Sequence, residues 1–239
     1  MRDPRQRLIV ALDVPTAAAA KKVVAAVGDS AFCYKVGMQL YTAEGPPMVR
    51  DLISSGRRVF LDLKYHDIPN TVAAAVREAA HLGVSMLTVH ASGGAKMLRA
   101  ATQAAASVNP ELRVLAVTVL TSLDDDDLER LGVPGGVENQ VLRLAKLALA
   151  NGCHGVVASA REASKLRRNV KDDFLIVTPG VRPAGTEPGD QARVATPAEA
   201  IAAGATHIVV GRPITEAADP AAAATAILGQ ISCDIPARR

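Results

Sequence analysis

Residues 59–83 read VFLDLKYHDIPNTVAAAVREAAHLG. The stretch opens on a continuous apolar run, VFLDLK (59–64), with charge only toward its end. A half-exposed strand alternates apolar and polar residues. A short unbroken run suits a parallel strand covered on both faces. The chain then turns through IPNT into the Ala-rich, helix-favouring NTVAAAVREAAHLG (70–83), which ends on Gly83. Glycine just past the last periodic residue is the expected helix stop. One strand and one returning helix make a βα unit.

The same unit recurs along the chain. Strand candidates are LIVALD (8–13), FCYKVG (32–37), VFLDLK (59–64), MLTVH (86–90), VLAVTVL (114–120), GVVAS (155–159), LIVTPG (175–180) and HIVVGR (207–212). Ala-rich stretches lie between them, and Gly28, Gly56, Gly83, Gly152 and Gly204 stand at their ends. Eight βα units in 239 residues predict an α/β fold, a single-domain (β/α)8 TIM barrel. A doubly wound open sheet usually has fewer strands. No compositional break or Pro/Gly/Ser linker divides the chain, so one domain over 1–239 is expected.

Composition narrows the function classes. Apolar residues make up 49% and charged residues 21%, enough to bury a full core. Aromatics are only 3% and Trp is absent, which argues against stacking platforms for nucleic-acid bases. Net charge is +3 with no dense basic run. Lys165, Arg167 and Arg168 read as a solvated helix face, so no nucleic-acid partner is expected. No apolar run approaches the roughly 18 residues of a membrane span. The N-terminal apolar stretch ends at Asp13, too early for a signal peptide. Cys33, Cys153 and Cys233 lack CxxC spacing and read as free thiols in a reducing, cytoplasmic compartment.

A barrel carries its chemistry on the C-terminal ends of its strands. Polar residues stand there repeatedly: Asp13, Lys35, Asp62 with Lys64, His90, Thr121 and Arg212. Asp62 and Lys64 are two apart, so strand alternation points both to one face, with Leu61 and Leu63 toward the helices. Charges at the mouth of an apolar barrel need partners. Lys35 and Asp13 of the adjacent strands can supply them. A purely structural ion network is the competing reading. His66 reads as a loop residue and His90 as a hydrogen-bonded rim residue. No HxH or HExxH pattern argues for a metal. The run DDDD (124–127) reads as a solvated helix start favoured by the helix dipole.

The segment GRPITEAADP (211–220) is the anion-binding candidate. Gly211 lets the backbone approach a ligand, Pro213 suits a first helical turn, and Arg212 adds charge. Loops after strands 7 and 8 commonly hold phosphate in such barrels. The long polar loop TPGVRPAGTEPGDQARVATP (178–197) has the character of a lid, with Arg182 and Gln191 able to close over a phosphate.

Taken together, DLKYHDIPNT (62–71), TVHASGG (88–94), VLTS (119–122), TPGVRP (178–183) and VGRPI (210–214), with ALD at 11–13 and YKVG at 34–37, resemble the orotidine 5′-phosphate decarboxylase family. The resemblance runs from Leu8 to about Ile227. It implies a carboxy-lyase that converts orotidine 5′-phosphate (OMP) to UMP and CO2 in de novo pyrimidine synthesis, without metal or cofactor. It also implies a homodimer with active sites shared across the interface. By that resemblance Lys64 donates a proton to C6 of the pyrimidine, and Asp62 lies against the departing carboxylate. Lys35 and Asp13 bind ribose hydroxyls and complete the charged network. Thr121 lies near the pyrimidine. Gln191, Arg212 and the Gly211 backbone hold the phosphate, and Arg182 belongs to the closing loop. Asp67, Ile68 and Thr71 serve the partner's site. Two alternatives stay open: a Mg²⁺-dependent sugar-phosphate decarboxylase of the same barrel family, and a non-catalytic phosphate-binding barrel.

Overall fold

The computed structural model describes residues 3–170, 173–183 and 195–232. Eight parallel strands close in the order β1-β2-β3-β4-β5-β6-β7-β8, with β8 pairing back onto β1. They are β1 (Leu8–Ala11), β2 (Cys33–Gly37), β3 (Arg58–Tyr65), β4 (Met86–His90), β5 (Arg113–Val117), β6 (Gly155–Val157), β7 (Leu175–Thr178) and β8 (His207–Val210). The expected TIM barrel is therefore present, and each strand overlaps its apolar run.

The helices form the outer ring: α1 (Ala17–Val27), α2 (Met38–Ser54), α3 (Pro69–His81), α4 (Gly94–Val108), α5 (Asp125–Arg130), α6 (Gly136–Ala150), α7 (Ala160–Asn169), α8 (Pro197–Ala202), α9 (Arg212–Thr215) and α10 (Pro220–Ser232). The one-helix-per-strand expectation is too simple. Among the described residues, two helices follow β5 and two follow β8. Helix α3 illustrates the packing. Pro69 opens it, where a missing N–H costs nothing. Val72, Ala73, Val76, Ala79 and Ala80 are its buried residues, one face at the 3.6-residue period. In α2 the chain kinks at Gly45 (φ 65) just before Pro46 and Pro47, which remove two helical donors. The run at 124–127 behaves as expected. Asp124 caps α5 and Asp125 to Asp127 fill its first turn.

Two apolar bodies hold the barrel. The larger one lies between strands and helices and includes Val10, Leu61, Leu87 and Ile208. The smaller one fills the barrel itself and contains Ile9, Ala11, Cys33, Phe60, Met86, Leu115, Val177 and Val209. Alternate residues of each strand enter one body or the other, as the pleat requires. Burying Phe60 inside the barrel contributes about 2 kcal/mol. These side chains close the interior because an eight-stranded barrel is only wide enough for side chains to fill it.

One surface expectation is corrected. Lys165 pairs with Glu138 at 3.0 Å, but Arg167 is half-buried. Its guanidinium lies 4.5 Å from the Phe174 ring centroid and donates to the Gly204 carbonyl. Stacking, rather than hydration alone, fixes that side chain. Among the described residues no helix is long and apolar enough to cross a membrane.

Candidate active site

A cavity of about 480 Å³ opens at the C-terminal end of the barrel. Its floor is the top of the inner core, with Phe60, Val117, Val157, Val177 and Val209. The charged residues stand above this floor, where the inward-facing positions of the strands run out of apolar partners.

Asp13, Lys35, Asp62 and Lys64 all line the cavity. Lys35 Nζ donates to Asp13 Oδ1 at 2.7 Å and stands 3.9 Å from Asp62 Oδ2. Lys64 Nζ donates to the same Asp62 oxygen at 2.9 Å. The four charges therefore alternate in sign along a connected chain. Burial makes that alternation necessary. The side chains of Lys35 and Asp62 are only 12% and 14% exposed, and an uncompensated charge there is costly. Gly37 leaves room for the pair at the β1–β2 end. A Cβ on it would stand 3.0 Å from Lys35 Nζ and 3.2 Å from Asp13 Oδ1.

Lys64 reaches Asp62 by a different route from simple strand alternation. Leu61 pairs with Leu87 and Tyr65 with Val89, so Asp62, Leu63 and Lys64 together stand opposite the single residue Thr88. This is a bulge of the kind that re-aims side chains near functional sites. Lys64 itself has φ 52, and among the described residues no other non-glycine has positive φ. That conformation costs an L-residue about 1–2 kcal/mol. Thr88, wholly buried, spans the bulge. Its Oγ1 accepts from the Lys64 backbone N–H at 2.9 Å and donates to Asp62 Oδ1 at 2.9 Å. In sequence Thr88 is an ordinary residue of the run MLTVH. Only the register of β3 on β4 reveals it.

His90, at the end of β4, packs against His66, with ring centroids 5.3 Å apart. Burial, then the neighbouring His66 ring and the Lys64 ammonium, push the His90 imidazole below its usual range. It is therefore neutral near pH 7. Burial also pushes the Cys33 thiol, beneath the cluster in the inner core, up to about 12. A thiol so disposed is not a nucleophile.

The opposite wall of the cavity carries Gly180, Val181, Arg182, Gly211, Arg212 and Pro213. Arg212 does not end β8, as its position in HIVVGR had suggested. It opens α9, a single turn capped by Gly211. Gly211 has φ −107 and ψ −107. A Cβ on it would stand 3.5 Å from the Ala11 Cβ at the cavity wall, an ordinary contact. Arg182 is tied by its backbone N–H to the Ala195 carbonyl at 2.9 Å, bringing residues 181–182 beside 195. Thr121 completes this rim. Gln191 lies outside the described residues, as do Cys233 and most of the long loop.

Asp67, Ile68 and Thr71 do not line the cavity of their own chain. All three are exposed on the rim beyond β3, Ile68 at 67%. Met38, after β2, and Leu120, after β5, are exposed large apolar residues on the same end of the barrel. Asp67 Oδ1 accepts from the Ile68 N–H at 2.6 Å, which holds the turn into α3.

Known proteins share this sequence pattern and this fold. The model of the "Orotidine 5′-phosphate decarboxylase / HUMPS family" matches residues 6–227. The orotidine 5′-phosphate decarboxylase of Anaeromyxobacter dehalogenans is 55% identical over 224 residues, covering 94% of this chain and 97% of that protein. The enzyme of the same name from Halorhodospira halophila is 54% identical, with 95% and 96% covered. The crystal structure of orotidine 5′-phosphate decarboxylase from Lactobacillus acidophilus superposes with a TM-score of 0.84 at 42% identity, covering 94% of this chain and 98% of that one. An uncharacterized conserved protein from Geobacillus kaustophilus superposes with a TM-score of 0.81 at 36% identity, covering 94% and 99%. With the family model matching residues 6–227 and relatives matched over nearly its whole length, the chain belongs to the orotidine 5′-phosphate decarboxylase / HUMPS family.

Proposed function

We infer that this chain is a carboxy-lyase that converts orotidine 5′-phosphate to UMP and CO2, a step of pyrimidine biosynthesis. One observation carries the chemistry. An alternating chain of two lysines and two aspartates, nearly buried at Lys35 and Asp62, faces the same cavity as the Gly211–Arg212 wall. Loss of CO2 breaks the bond from C6 to the carboxylate and leaves its electron pair on C6. A fixed ammonium stabilises that charge and then supplies the proton. Lys64 is placed for both tasks, and solvent reprotonates it afterwards. Asp62 keeps Lys64 oriented and lies where the substrate carboxylate departs. Asp13 and Asp62 are each engaged by a lysine ammonium, which supports a reaction driven by ammonium charge without a metal.

Lys35 and Asp13 bind ribose hydroxyls in this reading, and Thr121 lies beside the pyrimidine. The Gly211 backbone, Arg212 and Gln191 hold the phosphate, with Arg182 in the segment that closes over it. Phosphate is remote from C6. Its binding energy serves closure and exclusion of water, so it raises rate as well as affinity.

The active form is a homodimer, and Asp67, Ile68 and Thr71 of each chain complete the partner's site. Their exposure away from their own cavity supports this, as do the apolar side chains of Met38, Ile68 and Leu120 on the same rim. The fold acts as one domain in the cytoplasm. Buried free thiols at Cys33 and Cys153 fit a reducing compartment.

The phosphate assignment has a direct test. Wild-type protein turns over OMP far faster than orotidine, which lacks the phosphate. Arg212→Ala raises KM for OMP by about 10- to 100-fold, the worth of one charge-assisted contact, and leaves the slow orotidine reaction unchanged. Steady-state kinetics with both compounds read this. An equal loss for OMP and orotidine contradicts the role of Arg212. No UMP from OMP with the wild-type protein contradicts the function.

A further inference from the structure

We propose that Thr88 is a positioning residue for this reaction, and that its hydroxyl sets the conformation of Lys64. The proposal rests on the decarboxylase reading for its kinetic consequence, but its structural consequence stands apart.

The bulge in β3 removes Lys64 from the regular ladder, so its backbone N–H needs another acceptor. Thr88 Oγ1 is that acceptor, at 2.9 Å. A hydroxyl has one proton, and here it is directed to Asp62 Oδ1, also at 2.9 Å. Asp62 Oδ2 in turn receives the Lys64 ammonium. The links close a ring: Lys64 backbone to Thr88, Thr88 to Asp62, Asp62 to the Lys64 side chain. Both ends of one lysine are thereby fixed by one buried residue of the next strand. The ring also explains how Lys64 holds a left-handed φ of 52, which isolated chains avoid. Thr88 is 0% exposed, so water does not compete for either bond.

Valine matches threonine in shape but has no hydroxyl. Thr88→Val leaves the Lys64 N–H without its acceptor and Asp62 without one donor. Turnover is expected to fall about 30-fold, the effect of one hydrogen bond to a charged group, while KM for OMP and binding of UMP stay within about threefold. Thr88→Ser keeps the hydroxyl and restores most of the turnover. Thr88→Cys keeps the volume with a weaker donor and falls between them. These two variants decide the matter even if Thr88→Val does not fold. Turnover of Thr88→Val equal to wild type overturns the proposal, and so does equal impairment of Val, Cys and Ser. Crystal structures of the variants give a second, activity-independent reading. In Thr88→Val, or in Thr88→Cys should the valine variant not fold, Lys64 leaves the left-handed region or parts from Asp62. An unchanged Lys64 overturns the proposal whatever the substrate. Absence of OMP turnover in the wild-type protein would instead remove the decarboxylase reading and leave the structural test in force.

Discussion

Lys64→Ala is expected to fold, to bind UMP, and to lose OMP turnover by about 10⁴-fold or more. The size follows from what one side chain does. Electrostatic stabilisation at the reacting atom and proton delivery each contribute orders of magnitude. Both vanish together in this variant. The fold survives because Asp62 keeps a counter-charge: Lys35 Nζ stands 3.9 Å away and the Thr88 hydroxyl still donates to it. Thermal unfolding and UMP titration separate loss of chemistry from loss of structure. Turnover near that of the wild-type protein would remove Lys64 from the mechanism.

A second large effect is expected on mixing two inactive variants. Asp67→Ala should lose most turnover, since in the proposed homodimer Asp67 serves the neighbouring site. When Lys64→Ala and Asp67→Ala are unfolded together in equal amounts and refolded, half of the dimers are mixed. Each mixed dimer holds one centre with both mutations and one with neither, so roughly a quarter of all centres recover. Activity therefore rises from near zero in each parent to about a quarter of the wild-type value. No recovery would place Asp67 in its own chain's site, or in none.

The barrel was legible because parallel strands buried on both faces appear as unbroken apolar runs. Runs such as MLTVH coincide with their strand end to end. Several of the inner charges were legible too. An Asp, a Lys and an Arg at strand ends in an apolar barrel have few uses besides a site. What local sequence did not reveal was register. Alternation put Asp62 and Lys64 on one face, and they do meet, but through a bulge and a left-handed Lys64. Which β4 residue faces that bulge depends on how two strands 26 residues apart slide against each other, so Thr88 passed unnoticed. The packing of Arg167 is hidden for a similar reason, because Phe174 comes to it only through the fold. Arg212 was placed in a strand, although Pro213 favours the helical turn that it opens.

Asp62 draws these threads together. Its two oxygens bind a strand hydroxyl on one side and the Lys64 ammonium on the other. Lys35 balances it from β2. The charged chain is thus tied into the barrel rim by hydrogen bonds and ion pairs, and charge held in place is what electrostatic catalysis requires.

The most direct measurement is the incubation of the purified wild-type protein with orotidine 5′-phosphate in excess EDTA, following CO2 and UMP together. The two products should appear in equal amounts, at the rate seen without chelator. No CO2 release would contradict decarboxylation, leaving a phosphate-binding barrel, and release abolished by EDTA would point to the Mg²⁺-dependent chemistry of a sugar-phosphate decarboxylase instead.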